Sequence, residues 1–184
     1  MQFISRLLLR LWGWRIEGAQ RIRRLPKTLI AVVPHTSNWD FLLGLLVRSA
    51  AGLDTYYLGK KSLFRPPFGF LFRWLGGYPV DRSKHKNQVD AIVSLFNSRQ
   101  RFSVAIAPEG TRKKVDQLRS GFYFIALKAG IPIILTTFDG ENRLVTFSEP
   151  FYPTGEFEED MRTIEKHFSG IKGIVPENSF VSKQ

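Results

Sequence analysis

The chain has 184 residues, the length of a single domain, and its 43% hydrophobic and 23% charged residues are typical of a globular protein rather than a disordered one. It contains no cysteine, which excludes disulfides, zinc–thiolate sites and a cysteine nucleophile and is in keeping with a reducing compartment. The net charge is +11, and the excess is uneven: residues 1–140 hold 22 basic and 8 acidic side chains, and residues 141–184 hold 5 and 8. We therefore expect an anionic partner, and composition does not choose among nucleic acid, anionic lipid and phosphorylated small molecules.

Residues 1–27 have the composition of a helix that lies in a membrane interface. At helical spacing one face collects the large apolar side chains Phe3, Ile4, Leu7, Leu8, Leu11 and Trp12. No apolar run approaches the ~20 residues that a spanning helix needs. We predict an amphipathic, basic segment on a membrane surface, and the alternative is a first helix packed on the protein's own core.

Residues 28–184 read as apolar strands that alternate with helices. The predicted strands are Thr28–Val33, Thr55–Leu58, Phe102–Ala107, Ile131–Thr137 and Leu144–Phe147. The predicted helices are Trp39–Ala51, about 85–99, Gly121–Ala129 and 156–168. This alternation predicts a single α/β domain with a largely parallel central sheet flanked by helices. Binding sites of such sheets lie beyond the carboxyl ends of the strands.

Residues 60–86 combine seven basic groups with one acid and many aromatic side chains. Basic and aromatic residues together also describe a surface for nucleic acid. Here, however, the aromatics crowd into residues 64–75, which is too apolar for a stacking platform. We interpret this stretch as an element that dips into a bilayer or lines an acyl chain, and the alternative is a core helix.

The first motif is Pro34-His35-Thr36-Ser37-Asn38-Trp39-Asp40, at the end of the first predicted strand. A His and an Asp five residues apart on one helix would point about 140° away from each other. They can meet if His35 stays in the loop and Asp40 lies in the first helical turn. Asp40 would then hold one imidazole nitrogen and leave the other free to take a proton from an alcohol.

The pair His85 and Asp90 has the same spacing but a different context. It lies in a polar stretch that leads into an amphipathic helix, and no buried strand precedes it. We therefore interpret His85 as a solvated surface residue. Spacing alone is a weak signal, and the preceding strand decides in favour of His35.

Two further turns carry residues that suit a phosphate. Residues 107–112 follow a predicted strand and read Ala-Pro-Glu-Gly-Thr-Arg, in which a glycine allows close approach and Arg112 offers a guanidinium fork. Residues 76–82 read Gly-Gly-Tyr-Pro-Val-Asp-Arg. Taken singly, each is better explained as an ordinary turn with an exposed arginine.

Together these motifs and the later Gly130-Ile131-Pro132 resemble, in order and rough spacing, the glycerolipid acyltransferases. This superfamily contains the glycerol-3-phosphate and lysophosphatidic acid acyltransferases. The resemblance covers about residues 28–140 and implies a glycerol-3-phosphate acyltransferase-like fold. One departure is Pro34, which stands where many members have Asn.

The resemblance also implies roles for individual residues. His35 would be the general base and Asp40 its partner. Glu109, Gly110, Thr111 and Arg112 would form the loop that binds the acceptor, with Arg112 on a phosphate. The remaining residues implied in substrate binding are Arg82 on the phosphate, Lys60 and Lys61 near it, and Pro132 in the acyl or acceptor pocket. Backbone amides of Gly110 or of the Ser37 region would stabilise the oxyanion.

The resemblance thus implies an O-acyltransferase. It would move a fatty acyl group from acyl-CoA or acyl-carrier protein to a lysophospholipid, first of all 1-acylglycerol-3-phosphate. We expect no metal or other cofactor, no nucleic acid partner, and a peripheral position on the cytoplasmic face of an anionic membrane. The alternatives are another lysolipid acceptor, such as a lyso-amino-acid lipid, a hydrolase, and a non-catalytic module that binds nucleic acid. The hydrolase is disfavoured because the chain lacks a G-x-S-x-G motif.

Overall fold

A computed structural model describes residues 1–80 and 85–182 and shows one seven-stranded sheet. Its strands are β1 (Arg15–Glu17), β2 (Lys27–Val33), β3 (Thr55–Lys60), β4 (Gly77–Val80), β5 (Phe102–Ile106), β6 (Ile133–Asp139) and β7 (Leu144–Phe147). The order in the sheet is β1-β7-β6-β2-β5-β3-β4. Among these strands only β6 and β7 pair antiparallel. The expected single α/β domain with a largely parallel sheet is confirmed.

The helices are α1 (Gln2–Leu11), α2 (Gln20–Arg23), α3 (Trp39–Ala51), α4 (Gly69–Trp74), α5 (His85–Asn97), α6 (Gly121–Ala129) and α7 (Phe157–Phe168). Short 3-10 turns occupy Lys61–Phe64 and Pro176–Asn178. Helix α3 has the predicted bounds, and it ends at Gly52 in the left-handed conformation that a C-terminal glycine favours. Elements β1, α2 and β4 were not expected as regular structure.

Alternate side chains of the central strands bury the two faces of the sheet. In β2, Leu29, Ala31 and Val33 face the core formed with α5, α6 and α7, whereas Ile30 faces the core formed with α1, α2 and α3. The chain leaves β2 into α3 on one face, and it leaves the neighbouring strand β5 into α6 on the other. Two adjacent parallel strands whose connections diverge in this way open a crevice at their carboxyl ends, which is where α/β sheets bind ligands.

The N-terminal residues 1–27 divide into two parts. From Trp14 onward they belong to the sheet and its core, because β1 pairs with β7 and both Trp14 and Ile22 are buried. Before that, α1 packs on α3 through Ser5 and Leu9. The domain division at residue 27 therefore does not follow the packing, since the sheet already includes residues 15–17.

Helix α1 runs antiparallel to α3. Ser5 Oγ lies 2.8 Å from Ser49 Oγ near one end, and the rings of Trp12 and Trp39 are 6.1 Å apart near the other. The large apolar side chains that this packing leaves in solvent are Phe3, Ile4, Leu7, Leu8 and Leu11. Packing on the protein's own core therefore uses Ser5, Leu9 and Trp12 and leaves the rest of the predicted apolar face exposed.

The aromatic stretch 64–75 is also mostly in solvent. Phe64 is buried, but Phe68, Phe70 and Trp74 are exposed, with 73% of Phe70 accessible. The stretch contacts α3 through Arg48, whose Nη1 donates to the carbonyl of Leu75 at 2.8 Å. These exposed side chains do not fit a core helix, which was the alternative interpretation of this segment.

Candidate active site

The structure brings His35 and Asp40 together at the carboxyl end of β2. His35 Nδ1 lies 3.2 Å from Asp40 Oδ2. The same oxygen accepts the backbone N–H groups of Thr36 at 2.6 Å and Ser37 at 2.7 Å. Asp40 is in the first turn of α3, where the helix dipole favours a negative charge, and it is only 3% exposed. The loop is thus folded around the carboxylate, which leaves Nε2 of His35 as the nitrogen turned away from it.

The local sequence explains why this loop closes on itself. Ser37 Oγ accepts the N–H of Trp39 at 3.2 Å, while Asp40 reaches back to the two amides before the helix. This reciprocal arrangement satisfies donors that a helix start leaves free. His35 therefore stays in the loop while Asp40 is helical, as the five-residue spacing requires.

Glu109 lies in the same crevice from the neighbouring strand. Its Oε2 accepts the backbone N–H of His35 at 2.5 Å, so the loop after β5 holds the loop after β2. The side chain is 2% exposed. Burial raises the pKa of Glu109 to about 7; the hydrogen bond from His35 opposes this rise and the negative charge of Asp40 adds to it. Glu109 Oε1 and Asp40 Oδ1 are buried without a hydrogen-bond partner among the described residues.

An arginine absent from the sequence prediction packs against the acceptor loop. Gly110 has φ +66°, and a Cβ built there would lie 2.5 Å from Nε of Arg119. The N–H of Arg119 also donates to the carbonyl of Pro108 at 2.9 Å. Arg112 and Thr111 lie farther along the loop, with the Arg112 side chain in solvent. Arg119 was missed because six residues of irregular loop separate it from Arg112, and no periodicity links the two.

The backbone amides expected to stabilise an oxyanion are engaged in this structure. The N–H of Ser37 donates to Asp40, and the N–H of Gly110 donates to the carbonyl of Ala107 at 3.1 Å. Their expected role requires a rearrangement of these bonds when substrate binds. The guanidinium of Arg119, which lies against Gly110, is a second source of donors at the same loop.

The other expected substrate-binding residues lie in different places. Lys60 ends β3 and Lys61 follows it, both exposed at the same edge of the sheet as His35. Arg82 lies outside the described residues. Pro132 is not brought to this edge: its carbonyl accepts the N–H of Leu29 at 3.0 Å, at the amino end of β2. Leu29 and His35 are six positions apart in the chain, roughly 20 Å at the rise of a strand, so Pro132 lies far from the His–Asp pair, and its expected role in the acyl or acceptor pocket stays a prediction.

Within residues 1–80 and 85–182 no group of three or more His, Asp or Glu side chains could hold a metal ion. In the same described ranges, no helix has both the length and the apolar character that crossing a membrane requires.

Comparisons with known proteins identify the family. A sequence model of the acyltransferase family matches residues 14–137, more than half of the chain. The fold is similar to the crystal structure of the 1-acyl-sn-glycerophosphate (LPA) acyltransferase PlsC from Thermotoga maritima, with a TM-score of 0.63. The two chains are 15% identical, and the alignment covers 90% of this chain and 74% of that one. No curated protein matches the sequence. The chain therefore belongs to the acyltransferase family, and the expected place in the glycerolipid acyltransferase superfamily is confirmed.

Proposed function

We propose that the protein transfers a fatty acyl group from a CoA or acyl-carrier-protein thioester to the hydroxyl of a lysophospholipid. 1-Acylglycerol-3-phosphate is the first candidate acceptor. The observation that carries the proposal is the 3.2 Å contact between His35 Nδ1 and the buried Asp40 carboxylate, at the edge where α/β sheets bind ligands. The family and the likeness to PlsC support it.

The arrangement suits a general base without an enzyme nucleophile. With Nδ1 held by Asp40, Nε2 of His35 takes the proton of the acceptor hydroxyl as its oxygen attacks the thioester carbonyl. The tetrahedral intermediate then collapses, the carbon–sulfur bond breaks, and the imidazolium returns the proton to the leaving thiolate. Asp40 stabilises the imidazolium between the two transfers. The products are an ester and a free thiol.

Cations around this edge support an acceptor that bears a phosphate. Arg119 lies against Gly110, while Arg112, Lys60 and Lys61 are exposed at the same edge. A guanidinium can bind phosphate through two parallel hydrogen bonds. Such contacts place the hydroxyl beside His35, and positioning of this kind lowers a barrier by several kcal/mol in well-oriented systems, on the order of 7–11 at most.

Product analysis by mass spectrometry tests the proposal. The purified protein is incubated with acyl-CoA or acyl-carrier protein and, in turn, with lysophosphatidic acid, a lysolipid with a neutral headgroup and a lyso-amino-acid lipid. We expect an ester product, and we expect His35→Ala to lower kcat by about 10²–10⁴-fold because the general base is lost. His85→Ala, the same change in the second His-x4-Asp pair, is the matched control and keeps full activity.

Each other result has a distinct meaning. Release of free fatty acid without an acceptor would indicate a hydrolase. Transfer only to the amino-acid lipid would change the acceptor and keep the mechanism. Equal activity of wild type and His35→Ala would contradict the role of the imidazole, and the absence of product with every pair of substrates would contradict the function.

We also propose that the protein docks on the cytoplasmic face of an anionic membrane. The exposed apolar side chains of α1 and α4 lie on either side of α3. Helix α3 itself exposes 59% of Trp39. The same segments carry three exposed arginines, Arg10, Arg65 and Arg73. Apolar burial and attraction to anionic headgroups add in such a surface. Docking of this kind would bring lysolipid to the enzyme.

Cosedimentation with lipid vesicles tests the docking. Leu7→Asp places a charge in the exposed face of α1, and we expect it to weaken binding by at least about tenfold, because burial of one Leu contributes about 1.5–3 kcal/mol. Thr163→Asp adds the same charge at an exposed position of α7, on the other face of the sheet, and we expect it to bind like wild type. Equal binding of both variants would contradict docking through α1.

A further inference from the structure

The segment Ile171–Val181, which we call the strap, crosses the carboxyl edge of the sheet after α7. Its Lys172 carbonyl accepts the N–H of Gly140 at 2.7 Å, just beyond β6. The N–H of Val175 donates to Thr36 Oγ1 at 3.1 Å, in the His35 loop. The strap therefore touches the loop that carries the His–Asp pair, and it lies wholly beyond residue 137, where the match to the family ends.

The same strap reaches the loop after β5, at Val115. The N–H of Val181 donates to the carbonyl of Val115 at 3.1 Å, and Phe180 beside it is 2% exposed in the core with α5, α6 and α7. One continuous segment thus contacts both loops whose residues form the candidate active site.

The tightest contact joins Gly173 to Thr36. A Cβ at Gly173 would lie 2.6 Å from both Cγ2 and Oγ1 of Thr36 and 3.1 Å from its Cβ. Thr36 is buried, and its own N–H is one of the donors to Asp40 Oδ2. A displacement of Thr36 is therefore passed directly to the carboxylate that holds His35.

The strap cannot move away from Thr36, because other parts of the backbone hold it in place. The N–H of Gly173 donates to the buried Ser179 Oγ at 2.9 Å, which closes the strap on itself. On its other side the Gly173 carbonyl lies so close to Gly140 that a Cβ there would overlap it. Backbone on one side and Thr36 on the other leave space for a hydrogen at position 173 and for no side chain.

We propose that the strap is a positioning element of the active site and that Gly173 is its positioning residue. Because Gly173 lacks a side chain, the strap seats directly on Thr36 and holds the loop in the conformation that presents Asp40 to His35. This inference rests on the proposed function in one respect, the catalytic role of the His–Asp pair. Gly173 acts through Thr36 and does not touch the substrate.

Gly173→Ala tests the proposal. Ordinary carbon contacts begin at 3.4 Å, so the added methyl must displace Thr36 or the strap by about 0.8 Å. A misplacement of about 1 Å can cost about 10²-fold in rate. We expect kcat to fall by about 10–100-fold, with KM for both substrates changed less than about threefold because the acceptor loop keeps its residues. Gly44→Ala in α3, whose Cβ would meet only Phe138 at 3.8 Å, is the matched control and keeps wild-type kcat.

A second substitution separates positioning from a general loss of stability. Thr36→Ala removes the two atoms that the methyl would strike, so the double variant Gly173→Ala/Thr36→Ala should recover at least about threefold of the lost kcat. A merely destabilised protein would not be rescued by the loss of another buried contact. Wild-type kcat in folded Gly173→Ala, or a double variant slower than Gly173→Ala, would overturn the proposal.

The NMR signals of the His35 imidazole give a readout that needs no activity. We expect their chemical shifts in Gly173→Ala to differ from the wild-type values, and in Gly44→Ala to match them. If the wild type transfers no acyl group but the His35 signals still respond to Gly173→Ala, the proposed function fails and the strap keeps its positioning role. His35 signals identical in all three proteins would overturn the strap proposal whatever the activity.

Discussion

Glu109→Gln should change how the stability of the protein depends on pH. The wild-type carboxyl is buried at 2% exposure and its pKa is raised to about 7, mainly by burial, from the ordinary 4.5 of a glutamate. Gln keeps an oxygen that can accept the N–H of His35 but cannot ionise. The difference between the two proteins therefore isolates the free energy of charging Glu109.

The sign follows from which state loses its proton first. Below a pH of about 4.5 the carboxyl is protonated in the folded and the unfolded chain, so it has no effect. Between about 4.5 and 7 the unfolded chain ionises and the folded one does not, so wild-type stability falls as pH rises. Above a pH of about 7 the carboxyl is ionised in the folded and the unfolded chain, and the loss of stability stays constant at about 3 kcal/mol.

Urea unfolding of wild type and Glu109→Gln at several pH values measures this difference. From about pH 5 to about pH 8 the free energy of unfolding of wild type should fall by about 2.5 kcal/mol relative to the variant. Glu141→Gln, the same change at an exposed glutamate, corrects for net charge. Parallel profiles for wild type and Glu109→Gln would refute the reasoning, because Glu109 would then titrate alike in both states.

Three further predictions concern the site and the core. Asp40→Asn should lower kcat by about 10³–10⁴-fold, because an amide keeps the loop bonds but not the charge that stabilises the imidazolium. Steady-state kinetics measure this change, and a variant with wild-type kcat would contradict the prediction. Arg119→Ala should raise KM for a phosphate-bearing acceptor by at least about tenfold, since hydrogen bonds to charged groups contribute about 1.5–3 kcal/mol. Arg101 is exposed at the amino end of β5, and Arg101→Ala should leave this KM unchanged. Tyr123→Phe removes a 2.8 Å hydrogen bond to the buried Asp160. It should lower the free energy of unfolding in urea by about 1.5–3 kcal/mol and leave kcat unchanged. A variant as stable as wild type would refute this prediction.

The elements predicted well from the sequence are those with a strong local pattern. Helix α3 was predicted to the residue because its helical periodicity follows Ser37 and Asn38, two residue types that favour helix starts. Strand β2 differs by one residue, because an unbroken apolar run ended by Pro34 has few other interpretations. The meeting of His35 and Asp40 followed from the same two boundaries.

The elements that were missed depend on partners distant in the chain. Strand β1 has three residues, two of them charged, and it is a strand because β7 pairs with it across about 130 residues of sequence. The contacts of Arg119 with Gly110 and of Gly173 with Thr36 leave no periodic trace either. The position of Pro132 beside the amino end of β2 was not predicted either, since a motif in the right order gives no information on which end of a strand it occupies.

The antiparallel packing of α1 on α3 has an optical consequence. The rings of Trp12 and Trp14 are 6.1 Å apart, and those of Trp12 and Trp39 are equally close, so three of the four tryptophans form one chain of edge contacts. Trp39 directly precedes Asp40, while Trp12 lies at the end of the helix whose apolar face is exposed. Excitation passes readily between indoles at this distance. The intrinsic fluorescence of the protein should therefore report, without any label, when lipid contacts the junction of α1 and α3 beside Asp40.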